Sequence, residues 1–143
     1  MKKSRTSKFY FRFSCMDVYN AVVADPQNNE ASYIPIDDKE YEKQKANMEK
    51  GQMIARVTDR TPGKSCAYEL HAPNYDVFWS ASFEEVQGEC RMIMTETYVF
   101  PKEKFFQYIL ALLFLKQKEQ HKEYFRSVND RLKLEAYRRT PDK

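Results

Sequence analysis

Glycine is scarce in this chain: three residues in 143, at Gly51, Gly63 and Gly88. So few cannot form a Gly-rich phosphate loop. Neither GxGxxG nor GxxxxGK followed by Ser or Thr occurs, which excludes the two commonest nucleotide cradles. Cysteine is also sparse. Cys15, Cys66 and Cys90 are odd in number, widely spaced and without a CxxC pair. That rules out a disulfide framework, a zinc site and a thioredoxin motif, so reduced thiols acting as small buried hydrophobes are expected. There are only two histidines, His71 and His121. HExxH, DxDxDG and a serine nucleophile elbow are all missing, so neither a metal site nor a cofactor is expected. Long apolar runs are missing too. The longest is Ile109–Leu115, extending to Phe105–Leu115 across Gln107, far short of the roughly 20 residues a bilayer requires. Arg12 and Asp17 interrupt Phe9–Tyr19, so no signal peptide is expected and the location expected is the cytoplasm.

Aromatic residues are abundant: ten Tyr, ten Phe and one Trp, 15% of the chain. That argues against disorder and for a filled core or a lined pocket. The length fits a single domain over 1–143, with an ordered core near 7–135 and fraying basic ends. Net charge is +3, unevenly spread. Residues 1–13 carry five cations and no acid, residues 102–143 are net +5, and residues 14–101 are net −7. Such ends can steer an anionic partner or simply neutralise the acidic middle, and the latter is expected. An acidic middle repels phosphate, so no nucleic-acid partner is expected despite the Phe9, Tyr10, Phe11, Arg12 alternation.

Alternation of Phe9, Phe11 and Phe13 against Tyr10 and Arg12 predicts a strand over 8–13. Ser14-Cys15-Met16-Asp17 reads as a variant capping box opening a helix over 15–24, its inner face Val18, Tyr19, Val22 and Val23. Residues 26–37 read as irregular. Asp37 or Asp38 caps a second, surface helix over 38–50, with Gly51 as its stop. From 52 the period becomes two. Strands over 52–60, 64–71, 75–86 and 89–100 are separated by Pro62-Gly63, Ala72-Pro73-Asn74 and Gln87-Gly88, the pattern of an antiparallel meander. After Pro101 the period is helical. Residues 102–115 are apolar on nearly all sides and read as a buried helix; lysines flank them, but a membrane-surface helix would have a polar face. An unbroken helix over 102–136 would be about 50 Å long, so 116–136 is expected to bend or project.

The order strand, helix, helix, meander, long helix resembles the helix-grip fold of the START / Bet v 1-like (SRPBCC) superfamily. The opening FYFRFSCMDVYNAVV, the stretch RMIMTETYVF and the Phe-rich start of the last helix resemble, more narrowly, a family of short bacterial proteins of unknown function. The resemblance covers about residues 7–135. It implies an α+β fold whose meander curls around the C-terminal helix, often with an apolar ligand between them. The superfamily commonly has two strands more than the five counted here, so a completely filled interior is the alternative.

Glu96 is the most informative single residue. The last strand puts Met92, Met94, Glu96, Tyr98 and Phe100 on one face. If that face is inner, a carboxylate points at the helix and requires a partner or a raised pKa. If Ile93 and Val99 face inward instead, Glu96 lies in water. Tyr68, Tyr75 and Trp79 can line a pocket with polar tips or serve as cross-strand core pairs. Met53, Met92 and Met94 suit an adaptable wall or plain filling. The candidate pocket is Tyr68, Tyr75, Trp79, Met92, Met94, Glu96, Tyr98, Phe106 and Leu110. Cys66 and His71 lie on opposite faces of one strand and cannot form a couple. His121, among Lys118, Glu119, Lys122 and Glu123, reads as a solvated helix position. The function expected is non-catalytic binding of a small apolar or amphipathic ligand. The alternative is a filled scaffold acting through its surface, including as a homodimer, with the projecting helix as its contact.

Overall fold

The alternating aromatics near the N-terminus lie at the end of a longer strand, β1 (Lys2–Phe11). The computed structural model describes residues 2–24, 37–49, 52–73, 75–100 and 104–139, with the side chains of the last segment described from 119 to 138. After β1 come helices α1 (Cys15–Ala24) and α2 (Asp38–Ala46). Strands β2 (Ile54–Thr61), β3 (Ser65–His71), β4 (Asp76–Val86) and β5 (Glu89–Val99) follow, and helix α3 (Lys104–Arg139) ends the chain. The strands form one antiparallel sheet in the order β1-β5-β4-β3-β2.

β1 begins at Lys2, six residues before its expected start. Its polar half lacks hydrophobic alternation and is held instead by pairing with β5, from Lys2↔Val99 to Phe11↔Cys90. Hydroxyl contacts reinforce the ladder on the outer face, Ser4–Thr97 at 2.8 Å and Thr6–Thr95 at 3.1 Å. The N-terminal segment is therefore structured from Lys2.

The turns follow their residues. Gly63 sits at φ +73, and the Lys64 N–H donates to the Thr61 carbonyl at 2.9 Å, as a type II turn over Pro62-Gly63 requires. Gln87 and Gly88 take φ +53 and +81, the paired positive values of a two-residue I′ hairpin. In α1, Ser14 Oγ accepts from the Asp17 N–H at 3.1 Å. In α2, Asp37 accepts from the Glu40 N–H at 2.8 Å. That helix closes earlier than expected, at Ala46 with Asn47 as its C-cap; Gly51 lies outside the described residues.

The inner sheet face is the methionine face. Val77, Trp79, Ala81 and Phe83 of β4 and Cys90, Met92 and Met94 of β5 are buried. Phe78, which breaks the apolar alternation of β4, is 42% exposed on the other face. α1 lays Val18, Tyr19, Ala21 and Val22 on this surface. Cys15 and Cys90, 75 residues apart in sequence, meet through a side-chain hydrogen bond. α2 is a surface helix anchored by buried Tyr41 alone. The Arg56 guanidinium lies 4.3 Å from the Tyr41 ring centroid and bridges Asp38 at 2.5 Å and Glu69 at 3.0 Å.

α3 is continuous from Lys104 to Arg139 and corrects the expectation that 116–136 projects. Tyr124, Val128 and Leu132 are buried in the core, Phe125 packs against it, and Phe9 stacks on Phe125 at 5.1 Å. The distal helix is thus the part shown in the sheet's grip. The apolar stretch 105–115, with Phe106 and Leu110, lies outside the described side chains.

Candidate functional site

Along β5 the inner positions change character. Met92 and Met94 are fully buried, and the next two inner residues are Glu96 and Tyr98. Glu96 faces inward and its side chain is 16% exposed, so the alternative that put Ile93 and Val99 inside does not hold. Trp79 is its cross-strand partner on β4, and Arg5 its partner on β1.

Beside Glu96 the strands and α3 border a half-open cavity of about 700 Å³. β4 and β5 contribute Trp79, Met94, Glu96 and Tyr98; α3 contributes chiefly His121, Tyr124 and Arg131, with Gln120, Glu123 and Ser127. The lining is amphipathic: the sheet side is mostly aromatic and methionine but carries Glu96, and the helix side is mostly polar but carries Tyr124.

His121 is the largest departure from the sequence expectation. It is not solvated; only 4% of its side chain is exposed. Its Nδ1 lies 2.6 Å from the Ser7 hydroxyl of β1. Its Nε2 faces Glu96 Oε1 at 3.9 Å and has no hydrogen-bond partner. The lysines and glutamates around it in sequence hide a helical row: His121, Tyr124, Val128 and Leu132 recur every three or four residues and share one buried face. Extending the apolar row Tyr124–Val128–Leu132 back by three residues would have found it.

Tyr98 hydrogen-bonds the Glu96 carboxylate. Burial raises its phenol pKa well above 10, and the neighbouring Glu96 charge adds to the rise. Arg131 donates to the Ala21 carbonyl at 3.1 Å, tying α3 to α1 beside the opening.

The other proposed pocket residues are placed as follows. Met92 is packed solid in the core, away from the cavity lining. Tyr68 stacks on Trp79 at 5.2 Å, one layer behind the wall. Tyr75 contacts Tyr98 and Phe100 at ring distances of 5.9 and 5.7 Å without lining the cavity. Met53 is 57% exposed and takes no part. His71 pairs with Asp76 across β3 and β4. Among the described residues no group of three or more His, Cys, Asp or Glu side chains is arranged to hold a metal. Nor, among them, is any helix long and apolar enough to cross a membrane.

No protein-family model and no curated protein matches the chain. Solved structures do. Zhui aromatase/cyclase from Streptomyces sp. R1128 superposes with TM-score 0.60 at 10% identity, covering 93% of this chain and 94% of that one. Ara h 8.0201 gives 0.59 at 8% identity, over 92% and 98%. The Mll3558 protein from Rhizobium loti gives 0.53 at 12% identity, over 91% and 96%. At such identities the likeness establishes the fold: an α+β helix-grip architecture, with a five-stranded sheet against a C-terminal helix.

Proposed function

We propose that the protein binds a small amphipathic molecule, without catalysis, in the cavity between β4, β5 and α3. One observation carries this reading: about 700 Å³ of space lined by Trp79, Met94 and two tyrosines, with Glu96, His121 and Arg131 among them as polar groups. That volume lies within the range of small-molecule sites, and a few convergent polar groups on an apolar wall are their usual composition. A fold neighbour named as an aromatase/cyclase is consistent with small-molecule chemistry on this scaffold. The purely apolar ligand is the less suited variant, because six of the ten lining residues are polar or charged. The filled-scaffold alternative loses its main motivation, since the helix segment proposed to project packs into the core. The narrower resemblance to short bacterial helix-grip proteins rests on the N-terminal and β5 sequence patterns and the Phe-rich start of the last helix.

Native mass spectrometry of protein purified without detergent tests the reading, alongside a Ser127→Trp variant that narrows the cavity from its rim. A species retained by the wild type and lost in the variant is expected. Absence of any bound species, together with no thermal shift across a panel of amphipathic compounds, would remove it.

A further inference from the structure

A buried imidazole nitrogen without a partner costs about 1–3 kcal/mol and calls for an explanation. His121 Nε2 is such an atom, and it belongs to a residue that lines the cavity. One other buried side-chain nitrogen among the described residues lacks a partner, Nε of Arg91. That guanidinium already donates through Nη2 to Glu84. His121 is likewise held through its other nitrogen, by Ser7 at Nδ1, but its unpartnered Nε2 faces the Glu96 carboxylate.

The spacing narrows what belongs there. Nε2 and Glu96 Oε1 are 3.9 Å apart, too far to bond each other. A single oxygen atom bridging them at about 2.8 Å from each would make an angle near 90°. The Glu96 carboxylate facing Nε2 favours the tautomer with the ring proton on Nε2, in which the Ser7 hydroxyl donates to Nδ1. The bridging group must then accept from Nε2 and donate to the carboxylate. A neutral hydroxyl does both. A ligand carboxylate would meet Glu96 charge against charge, and an ammonium offers no lone pair to Nε2–H. The surrounding charges are mixed, with Glu96 and Glu123 against Arg131 and Arg5 opposite Glu96 in the sheet. They create no demand for a charged ligand.

We infer that His121 and Glu96 form a two-point anchor for a ligand hydroxyl, with Ser7 as the positioning residue that holds the imidazole. The ligand class is therefore a neutral alcohol or phenol, its apolar body against Trp79 and Met94. This rests on the cavity being a ligand site. The anchor joins three elements: β1 through Ser7, β5 through Glu96 and α3 through His121.

Isothermal titration of the wild type with four probes of one shape tests it: 2-naphthol, 2-methylnaphthalene, 2-naphthoate and 2-naphthylmethylamine, at pH 7. The expected order has 2-naphthol tighter than 2-methylnaphthalene by about tenfold or more, a size reasonable for hydrogen bonds that include a charged partner. Glu96→Gln and Ser7→Ala should each lower naphthol affinity and leave methylnaphthalene unchanged. In ¹⁵N NMR, naphthol should shift the His121 imidazole resonances, and methylnaphthalene should not. With only two histidines in the chain, a His71→Gln variant completes the assignment. Equal affinity for naphthol and methylnaphthalene overturns the anchor and leaves the cavity reading intact; so does tightest binding of the amine or the carboxylate. Failure of all four probes, with no species retained in native mass spectrometry, overturns both.

Discussion

The two halves of β5 share one strand, one face and one residue pattern, yet they end in different environments. Cys90, Met92 and Met94 are sealed, while Glu96 and Tyr98 border a cavity. The difference comes from what lies above them. α1 covers the first half, with Tyr19 edge-on to Phe83 at 5.9 Å and Cys15 against Cys90. The second half faces α3, where His121, Tyr124 and Arg131 stand around the space. A short helix placed over one end of a sheet can decide which end is core and which end is site. The polar residues follow this division. Arg56 of β2, beside α2, is paired with both Asp38 and Glu69, whereas His121 keeps one nitrogen without a hydrogen-bond partner.

Substitution along β5 gives the largest expected effect. Met92→Ala should cost about 2–5 kcal/mol in urea denaturation, because its void is enclosed on all sides. Met94→Ala, beside existing space, should cost less, since a site that is already open loses fewer contacts. Equal losses would break the distinction between the halves.

Alkaline pH sharpens it next. Burial pushes Cys66 up to about 12 from 9, and Tyr41 up to about 12 from 10. Tyr98 is raised as well, by burial and by Glu96. For each, the unfolded chain releases its proton first. Their stabilisation is whole below the unfolded pKa and declines as pH rises through the folded one. Urea midpoints should therefore fall from about pH 9 toward 12, and Tyr41→Phe and Cys66→Ala should each flatten the decline. A midpoint independent of pH across that window would contradict the burial assigned to these groups.

Smaller effects follow. Tyr98→Phe removes a hydrogen bond to a carboxylate at the edge of the open half and should cost about 1 kcal/mol. Phe78→Ser, on the exposed outer face, should stay within about 0.5 kcal/mol. A larger loss there would mean that the outer face packs on something as well.

Much of this division is visible in the residues themselves. The Ser14 cap, the Pro62-Gly63 and Gln87-Gly88 turns and the methionine face of β5 act through local rules, and local rules can be read from short windows. The polar half of β1 is held by its partner strand, so alternation alone missed it. His121 was hidden because charged neighbours dominate its window, and its burial depends on Ser7, 114 residues earlier. The Cys15–Cys90 contact likewise exists only once α1 lies across the sheet. Trp79, Met94, Glu96 and Tyr98 could be grouped from strand periodicity. The helix wall opposite them could not, because residues 120–131 are mainly polar and charged and read as a solvated stretch.

Trp79 is the chain's only tryptophan, and it stands in the cavity wall between Tyr68 stacked behind it and Tyr124 edge-on at 6.2 Å. The indole emission of the whole molecule therefore originates at the one place where an occupant would sit. Its wavelength and quenching report the polarity of that space with no competing signal from elsewhere. The protein carries its own optical probe of occupancy, without a label.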